Sequence, residues 1–164
     1  MQKIMHFSSP REMYTCDAVV IWCFDARFEP AFRKLLKRIQ VFQADSIRMA
    51  GGAKSLVSPR FESNRQFLLD QIRIAMQLHG ARRAVLMVHS DCGAYGGLAA
   101  FDNDPVKEAQ SHAADLQKAA TFLKSAIPEL AVQAYFVDFE GIWEVGLEQE
   151  QEQQTSEAVI SKTA

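Results

Sequence analysis

Hydrophobic positions in this chain form short continuous runs that alternate with longer segments of helical periodicity. Two runs without any charge, Ala18–Trp22 and residues 84–88, predict buried strands. Weaker runs predict further strands at residues 44–49 and 132–139. Strands that alternate with helices are typical of βαβ units, so the sequence predicts an α/β fold. We expect three layers, in which a mainly parallel four- to five-stranded sheet is flanked by helices.

Three segments between these runs carry apolar residues at helical spacing and predict helices at about residues 30–39, 63–79 and 105–126. Pro30 suits the first turn of the first helix. Gly80 suits the position just past the end of the second helix. The helices and strands together account for most of the chain between residues 18 and 139.

The remaining segments lie at the two ends of the chain. Residues 1–17 show little periodicity, and we interpret them as an N-terminal arm that packs on a neighbouring subunit. From residue 147 onward the sequence is rich in Glu and Gln, which predicts a tail or a solvent-facing helix at residues 147–164. A length of 164 residues suits one hydrophobic core, so we expect a single domain over residues 1–164.

Composition and charge exclude several classes of partner. The formal net charge of -2 gives no electrostatic reason to expect nucleic acid or an anionic membrane as a partner. No apolar run approaches the roughly 18 residues that a membrane span needs, and the amino terminus lacks the apolar core of a signal peptide. We therefore expect a cytoplasmic protein whose three cysteines stay reduced.

Metal-binding side chains follow both charge-free strands, at the point where each strand ends. Cys23 comes directly after the first strand, and His89 and Cys92 follow the next one. The carboxyl ends of parallel strands lie along one edge of a sheet, where such folds place their ligands. Two thiolates and one imidazole suit zinc, and three protein ligands leave its fourth tetrahedral position open for catalysis.

An acid and a base accompany the first of these cysteines. If the chain stays extended past the first strand, Cys23, Asp25 and Arg27 share one face, because side chains alternate along a strand. Asp25 would then accept a hydrogen bond from a water molecule at the metal, and Arg27 would hold that carboxylate ionised and oriented.

Two short motifs resemble the signatures of the β-class carbonic anhydrases. These signatures are C-x-D-x-R, found here at residues 23–27, and H-x-x-C-G, found at residues 89–93, and their first residues are 66 positions apart. The segments R-M-A-G-G at residues 48–52 and F-V-D at residues 136–138 are also similar to segments of that family. The resemblance covers roughly residues 16–142.

The resemblance implies a zinc lyase that interconverts carbon dioxide and bicarbonate. It implies that zinc is held by Cys23, His89 and Cys92 and that Asp25 and Arg27 form a catalytic dyad. It also implies a homodimer or a higher homo-oligomer with the site near the subunit contact. The candidates for substrate contact are three glycines of the two loops, Gly51, Gly52 and Gly93.

Some residues depart from the family pattern and leave other functions open. Met49 replaces the usual Asn, and residues 53–60 and 95–97 are not typical of the family. The alternatives are a hydrolase of another small substrate, such as carbon disulfide or carbonyl sulfide, and a non-catalytic protein that binds bicarbonate or serves assembly.

Each candidate residue also has a purely structural interpretation. The two cysteine ligands could be small buried hydrophobes, and Asp25 and Arg27 could form an ion pair at the end of a strand. Cys16 lacks a nearby histidine in the sequence and is interpreted as a core or surface thiol. The remaining histidines show no ligand spacing and are interpreted as structural: His6, His79 and His112.

Overall fold

A computed structural model describes residues 1–147 of the chain. Nearly all of the predicted tail at residues 147–164 lies outside the described residues. In chain order the strands and helices are β1 Ala18–Trp22, α1 Glu29–Arg38, β2 Ala44–Arg48, α2 Lys54–Val57, α3 Glu62–His79, β3 Arg83–His89, α4 Pro105–Ala126, β4 Ala131–Val137 and β5 Ile142–Glu144. None of the helices in this part of the chain is long and apolar enough to cross a membrane.

The five strands form one sheet in the order β2-β1-β3-β4-β5. The first four strands are parallel, and β5 pairs antiparallel with β4. Strand β1 therefore lies beside β3, with Ile21 opposite Leu86. The predicted α/β architecture with a mainly parallel sheet is confirmed.

Helices bury both faces of the central strands. Alternate side chains of β1 and β3 point to opposite faces, and residues 18–22 and 84–88 are therefore all apolar. One face packs against α2, α3 and α4 and contains Leu86 and Leu116. The other face packs against α1 and contains Trp22 and Phe32, whose rings stack with centroids 6.0 Å apart. A sheet covered on both sides gives the site a rigid base.

The end of the sheet differs from the prediction, because β4 stops at Val137 instead of residue 139. Asp138 forms a tight turn in which its Oδ1 accepts hydrogen bonds from the backbone N–H groups of Glu140 and Gly141, at 2.8 and 2.7 Å. The chain then reverses into β5, and the indole N–H of Trp143 donates to the other oxygen of Asp138 at 2.8 Å. The carboxylate of Asp138 thus organises the hairpin.

The N-terminal arm is exposed up to Thr15 and then enters the core. Tyr14 donates a hydrogen bond to Asp45, whose other carboxylate oxygen lies 2.8 Å from the His79 Nδ1. Cys16 is only 4% exposed and its thiol donates to the backbone carbonyl of Ala18. Cys16 is therefore a core thiol. The predicted contact of the arm with a neighbouring subunit stays a prediction.

Candidate metal centre

The ends of β1 and β3 bring the three predicted metal ligands together. Cys23 follows β1, His89 is the last residue of β3, and Cys92 lies in the loop that follows. Their ligand atoms all lie within 4.8 Å of one another, and each residue is buried. Because the two strands are adjacent and parallel, their carboxyl ends meet at one edge of the sheet.

The ring of His89 is held in an orientation that suits metal binding. Its Nδ1 lies 2.8 Å from the carbonyl oxygen of Ser90, a contact that requires the hydrogen to be on Nδ1. The aromatic rings of Trp22 and Phe28 flank it, with centroids 5.5 and 4.7 Å away. The Nε2 is buried and has no hydrogen-bond partner within residues 1–147. Its lone pair is thus available to a metal ion.

The two thiols influence each other's ionisation. A hydrogen bond from Cys92 lowers the pKa of the Cys23 thiol, and the same hydrogen bond raises the pKa of Cys92. Ligand atoms around a tetrahedral zinc ion are about 3.5–3.8 Å apart, which is compatible with the separations of the cluster. Two sulfurs and one imidazole nitrogen therefore form a donor set that fits a divalent ion such as zinc.

Asp25 and Arg27 lie beside this cluster, although the chain does not stay extended past β1. It turns instead into a short 3₁₀ helix at Ala26–Phe28, for which the Asp25 side chain accepts a hydrogen bond from the backbone N–H of Arg27 at 2.9 Å. The guanidinium donates to both carboxylate oxygens, with distances of 2.7 to 3.1 Å. One oxygen of Asp25 lies 4.0 Å from the His89 Nε2.

The ion pair fixes the charge of Asp25. The hydrogen bonds from Arg27 lower the pKa of the Asp25 carboxyl to about 2, and the same pairing raises the pKa of the Arg27 guanidinium. Asp25 is consequently a carboxylate at any pH at which the protein is expected to work. It can accept hydrogen bonds but cannot store a proton.

A second carboxylate, which the sequence did not single out, also binds the arginine. Asp91 lies between the candidate ligands His89 and Cys92, and its Oδ2 accepts a hydrogen bond from Arg27 Nη1 at 2.9 Å. Its backbone carbonyl accepts another from Nη2 at 3.0 Å. The position of Asp91 inside the H-x-x-C motif was the signal that could have identified it. Arg27 thus ties the two metal-binding loops together.

An open pocket of about 720 Å³ gives access to the cluster. The lining includes Cys23, Cys92 and both members of the Asp25 and Arg27 pair. Gly51 and Gly93 also line the pocket. Gly52 lies behind it, where a Cβ would be 2.3 Å from the carbonyl oxygen of Met87.

Two of these glycines give opposite predictions when they are replaced by alanine. Gly52 has a φ of +55° and no space for a methyl group, so Gly52→Ala is expected to destabilise the fold by more than about 2 kcal/mol. A Cβ on Gly93 would meet no atom within 4 Å in the described part of the chain, so Gly93→Ala is expected to change stability by less than about 0.5 kcal/mol. Urea unfolding measures the free energy of unfolding of both variants. Equal values would contradict this description of the backbone around the two glycines.

Comparison with known proteins identifies the family. A family model described as "Putative carbonic anhydrase" matches residues 13–147. The chain belongs to this carbonic anhydrase family. An uncharacterised protein of Rickettsia conorii is 29% identical over 129 residues, which cover 77% of this chain and 69% of that protein.

Solved structures of carbonic anhydrases share the fold of this family member. A carbonic anhydrase from Streptococcus mutans has a TM-score of 0.57 and 15% identity, with 86% of this chain and 88% of that chain covered. A β-carbonic anhydrase isoform from Trichomonas vaginalis has a TM-score of 0.55 and 10% identity, with coverage of 85% and 87%. At these identities the likeness concerns the fold alone.

The segment that departs from the family pattern supports the metal-binding loop. Residues 53–60 contain α2, whose first residue, Lys54, donates a hydrogen bond to the backbone carbonyl of Ala94. The ammonium nitrogen also lies 4.7 Å from the centroid of the Tyr95 ring. Met49, which replaces the usual Asn, packs against the core. Lys54 and Tyr95, which both belong to the departing segments, thus contact each other beside the loop that carries Cys92.

His112, interpreted as structural, is fully buried in α4 of this carbonic anhydrase family member. It contacts the rings of Tyr95, Phe101 and Phe136, with centroid distances of 4.3, 5.3 and 5.6 Å. Burial lowers the pKa of His112 to about 4, and the positive charge of Lys54 acts in the same direction.

The buried imidazole predicts a pH-dependent stability. Between pH 6.5 and 4 the unfolded chain binds a proton that folded His112 does not, so stability falls as the pH is lowered through this window. The loss amounts to about 3 kcal/mol, and His112→Phe is expected to remove it. Urea unfolding of the metal-free proteins at several pH values tests this. The same slope in both proteins would assign the effect to other groups.

Proposed function

We propose that this chain catalyses the reversible hydration of carbon dioxide to bicarbonate, with zinc bound by Cys23, His89 and Cys92. The observation that carries the proposal is the cluster of three soft donors, all within 4.8 Å of one another and next to an ion-paired carboxylate in an open pocket. Membership of the carbonic anhydrase family supports the same reaction.

Three protein donors would leave the fourth coordination position of a tetrahedral zinc ion open to water or substrate. Zinc bound by them would supply Lewis acidity at its fourth position. Asp25 is the nearest further donor, but Arg27 engages both of its oxygens and holds it away from that position. The contact of Arg27 with Asp91 keeps the guanidinium in place. The ion pair thus favours an accessible site over one closed by a fourth protein ligand.

The dyad orients the attacking water. Asp25 stays ionised because of Arg27, so it accepts a hydrogen bond from the water and directs an oxygen lone pair towards the carbon of carbon dioxide. The proton released in the reaction leaves through the open pocket to solvent or buffer, because a carboxyl with a pKa of about 2 does not retain it. Asp25 and Arg27 are the catalytic residues of this proposal.

One feature of the pocket favours a second candidate, the hydrolysis of carbon disulfide or carbonyl sulfide. Phe24 lines the pocket between the ligand Cys23 and the carboxylate Asp25, and 64% of its surface is exposed. Phe139 is 66% exposed and lies near the pocket-lining Arg27, whose guanidinium carbon is 5.5 Å from the centroid of its ring. An aromatic rim of this kind would suit a substrate more apolar than bicarbonate.

We also propose a cytoplasmic homodimer or higher homo-oligomer. Apolar side chains of the arm support an oligomer, because five of them are at least 71% exposed within the described chain: Met1, Ile4, Met5, Phe7 and Met13. A second copy of the chain would cover them. Sedimentation velocity tests this proposal, and a monomer at micromolar concentration would contradict it.

Stopped-flow assays of the zinc-loaded protein distinguish the functions. The proposed reaction predicts carbon dioxide hydration above the rate in buffer and little release of sulfide from carbon disulfide. The opposite result would select the second candidate. A protein that holds one zinc ion per chain and turns over neither substrate would be a non-catalytic protein that binds bicarbonate or serves assembly.

A further inference from the structure

Two titratable side chains of α4 lie buried behind the metal-binding loop, and the proposed reaction uses neither. Glu108 is 1% exposed and His112 is 0% exposed. They are one helical turn apart, and the His112 Nε2 lies 3.6 Å from the Glu108 Oε1. Neither ring nitrogen of His112 has a hydrogen-bond partner within residues 1–147. Burying a carboxyl group at this place has an unfavourable free energy that an apolar residue would not have, so a compensating contact is expected.

A hydrogen bond from the loop to Glu108 is this compensating contact. The Glu108 Oε1 accepts a hydrogen bond of 2.7 Å from the backbone N–H of Asp91. Asp91 has a φ of +51°, a left-handed conformation that is unfavourable for residues other than glycine. Because Glu108 is 17 positions away in the chain, on a helix packed in the core, it anchors this backbone from outside the loop.

Asp91 is the point at which several contacts of the site converge. It lies two residues after His89 and immediately before Cys92, so its backbone conformation sets the relative positions of both ligands. Its Oδ1 accepts from the backbone N–H of Leu98 at 3.1 Å, and its Oδ2 accepts from Arg27. A change in the Asp91 backbone would therefore displace the metal ligands and the partner of the catalytic arginine together.

We infer that Glu108 is a positioning residue, whose hydrogen bond to the Asp91 backbone holds His89 and Cys92 at metal-binding distance. The inference deepens the proposed function and rests on it for the identity of the metal. The essential property of Glu108 is an acceptor oxygen at this position, rather than its negative charge. His112 packs beside the carboxylate, and its ring in turn contacts the rings of Tyr95 and Phe136.

Three variants separate the acceptor from the charge and from packing. Glu108→Gln keeps an acceptor oxygen and removes the charge, whereas Glu108→Met removes both and keeps the length of the side chain. Leu116→Ala is the control, because Leu116 is fully buried two turns further along α4 and its truncation weakens the core without removing the hydrogen bond to Asp91. Zinc affinity is measured by competition with a chromophoric chelator, and the cobalt-substituted proteins report ligand geometry by visible absorption.

The positioning role predicts a specific order of zinc affinities. Glu108→Met is expected to bind zinc about 10- to 100-fold more weakly than the wild type and to show an altered cobalt spectrum. Glu108→Gln and Leu116→Ala are expected to stay within about threefold of the wild type. Wild-type affinity in Glu108→Met would overturn the inference, and so would an equal loss in Glu108→Gln, since the charge would then be responsible.

A measurement on the metal-free protein tests the hydrogen bond itself, even if Glu108→Met does not fold. The amide proton of Asp91 is expected to resonate downfield in the wild type, because it donates to a carboxylate, and to move upfield in Glu108→Gln. The Leu98 amide, which donates to Asp91, serves as the internal control. A wild-type Asp91 amide that resonates where an amide without an acceptor does would overturn the inference. A wild-type protein that bound no zinc would instead refute the proposed function. The Asp91 amide shift of the metal-free protein would still test the hydrogen bond.

Discussion

Replacing Cys23 with serine is expected to weaken zinc binding by about 100- to 1000-fold and to abolish hydration of carbon dioxide. Zinc sites with four ligands contribute about 10–16 kcal/mol, so each ligand accounts for about 2.5–4 kcal/mol. The serine oxygen is a harder and shorter donor than the thiolate that it replaces. Zinc content after gel filtration, chelator competition and stopped-flow hydration measure the effect.

Cys16→Ser provides the matched control for this experiment. Cys16 is also a buried cysteine, but its thiol donates to the carbonyl of Ala18 at the opposite end of β1 from the metal ligands. We expect Cys16→Ser to keep one zinc ion per chain and the wild-type hydration rate, with some loss of stability. Unchanged zinc binding in Cys23→Ser would reject Cys23 as a ligand. Loss of zinc in both variants would point to general unfolding.

Asp25→Asn is expected to lower kcat/KM for hydration by about 10- to 100-fold while zinc stays bound. The amide keeps one acceptor oxygen, but it no longer pairs with Arg27 as an anion and no longer accepts parallel hydrogen bonds from Nε and Nη2 on its two terminal atoms. The attacking water would then lose its fixed orientation. Stopped-flow hydration beside metal analysis separates this effect from loss of the ion.

The same substitution at Asp70 is the control for Asp25→Asn. Asp70 pairs with Arg73 on the exposed surface of α3, with a distance of 3.4 Å, and makes no contact with the site. We expect Asp70→Asn to have wild-type activity. Full activity in Asp25→Asn would reduce the Asp25 and Arg27 pair to a structural ion pair. Loss of zinc in Asp25→Asn would make Asp25 part of the metal site itself.

Much of the fold could be predicted because its signal is local. The apolar runs of β1 and β3 contain no charged residue, which is the pattern expected of a strand that is buried on both faces. The ligands could be predicted for a related reason, since Cys23 and His89 stand at the ends of adjacent parallel strands. Topology alone brings them together.

Other features depend on contacts that sequence spacing does not show. The pairing of Asp25 with Arg27 arises from a 3₁₀ turn, in which the carboxylate caps the backbone of its own partner. Strand β5 has three residues, too few for a recognisable pattern, and forms because Asp138 reverses the chain. Nothing in the sequence indicates that Glu108 is buried, and only the packing of α4 shows that it reaches the Asp91 backbone.

A crystal structure of the zinc-loaded protein, with anomalous diffraction recorded at the zinc edge, tests the metal assignment most directly. We predict one anomalous peak per chain at about 2.3 Å from the sulfurs of Cys23 and Cys92 and about 2.0–2.1 Å from the His89 Nε2, with Asp25 still paired to Arg27. A peak elsewhere, or one with Asp25 as a permanent fourth ligand, would contradict an open catalytic zinc site in this chain.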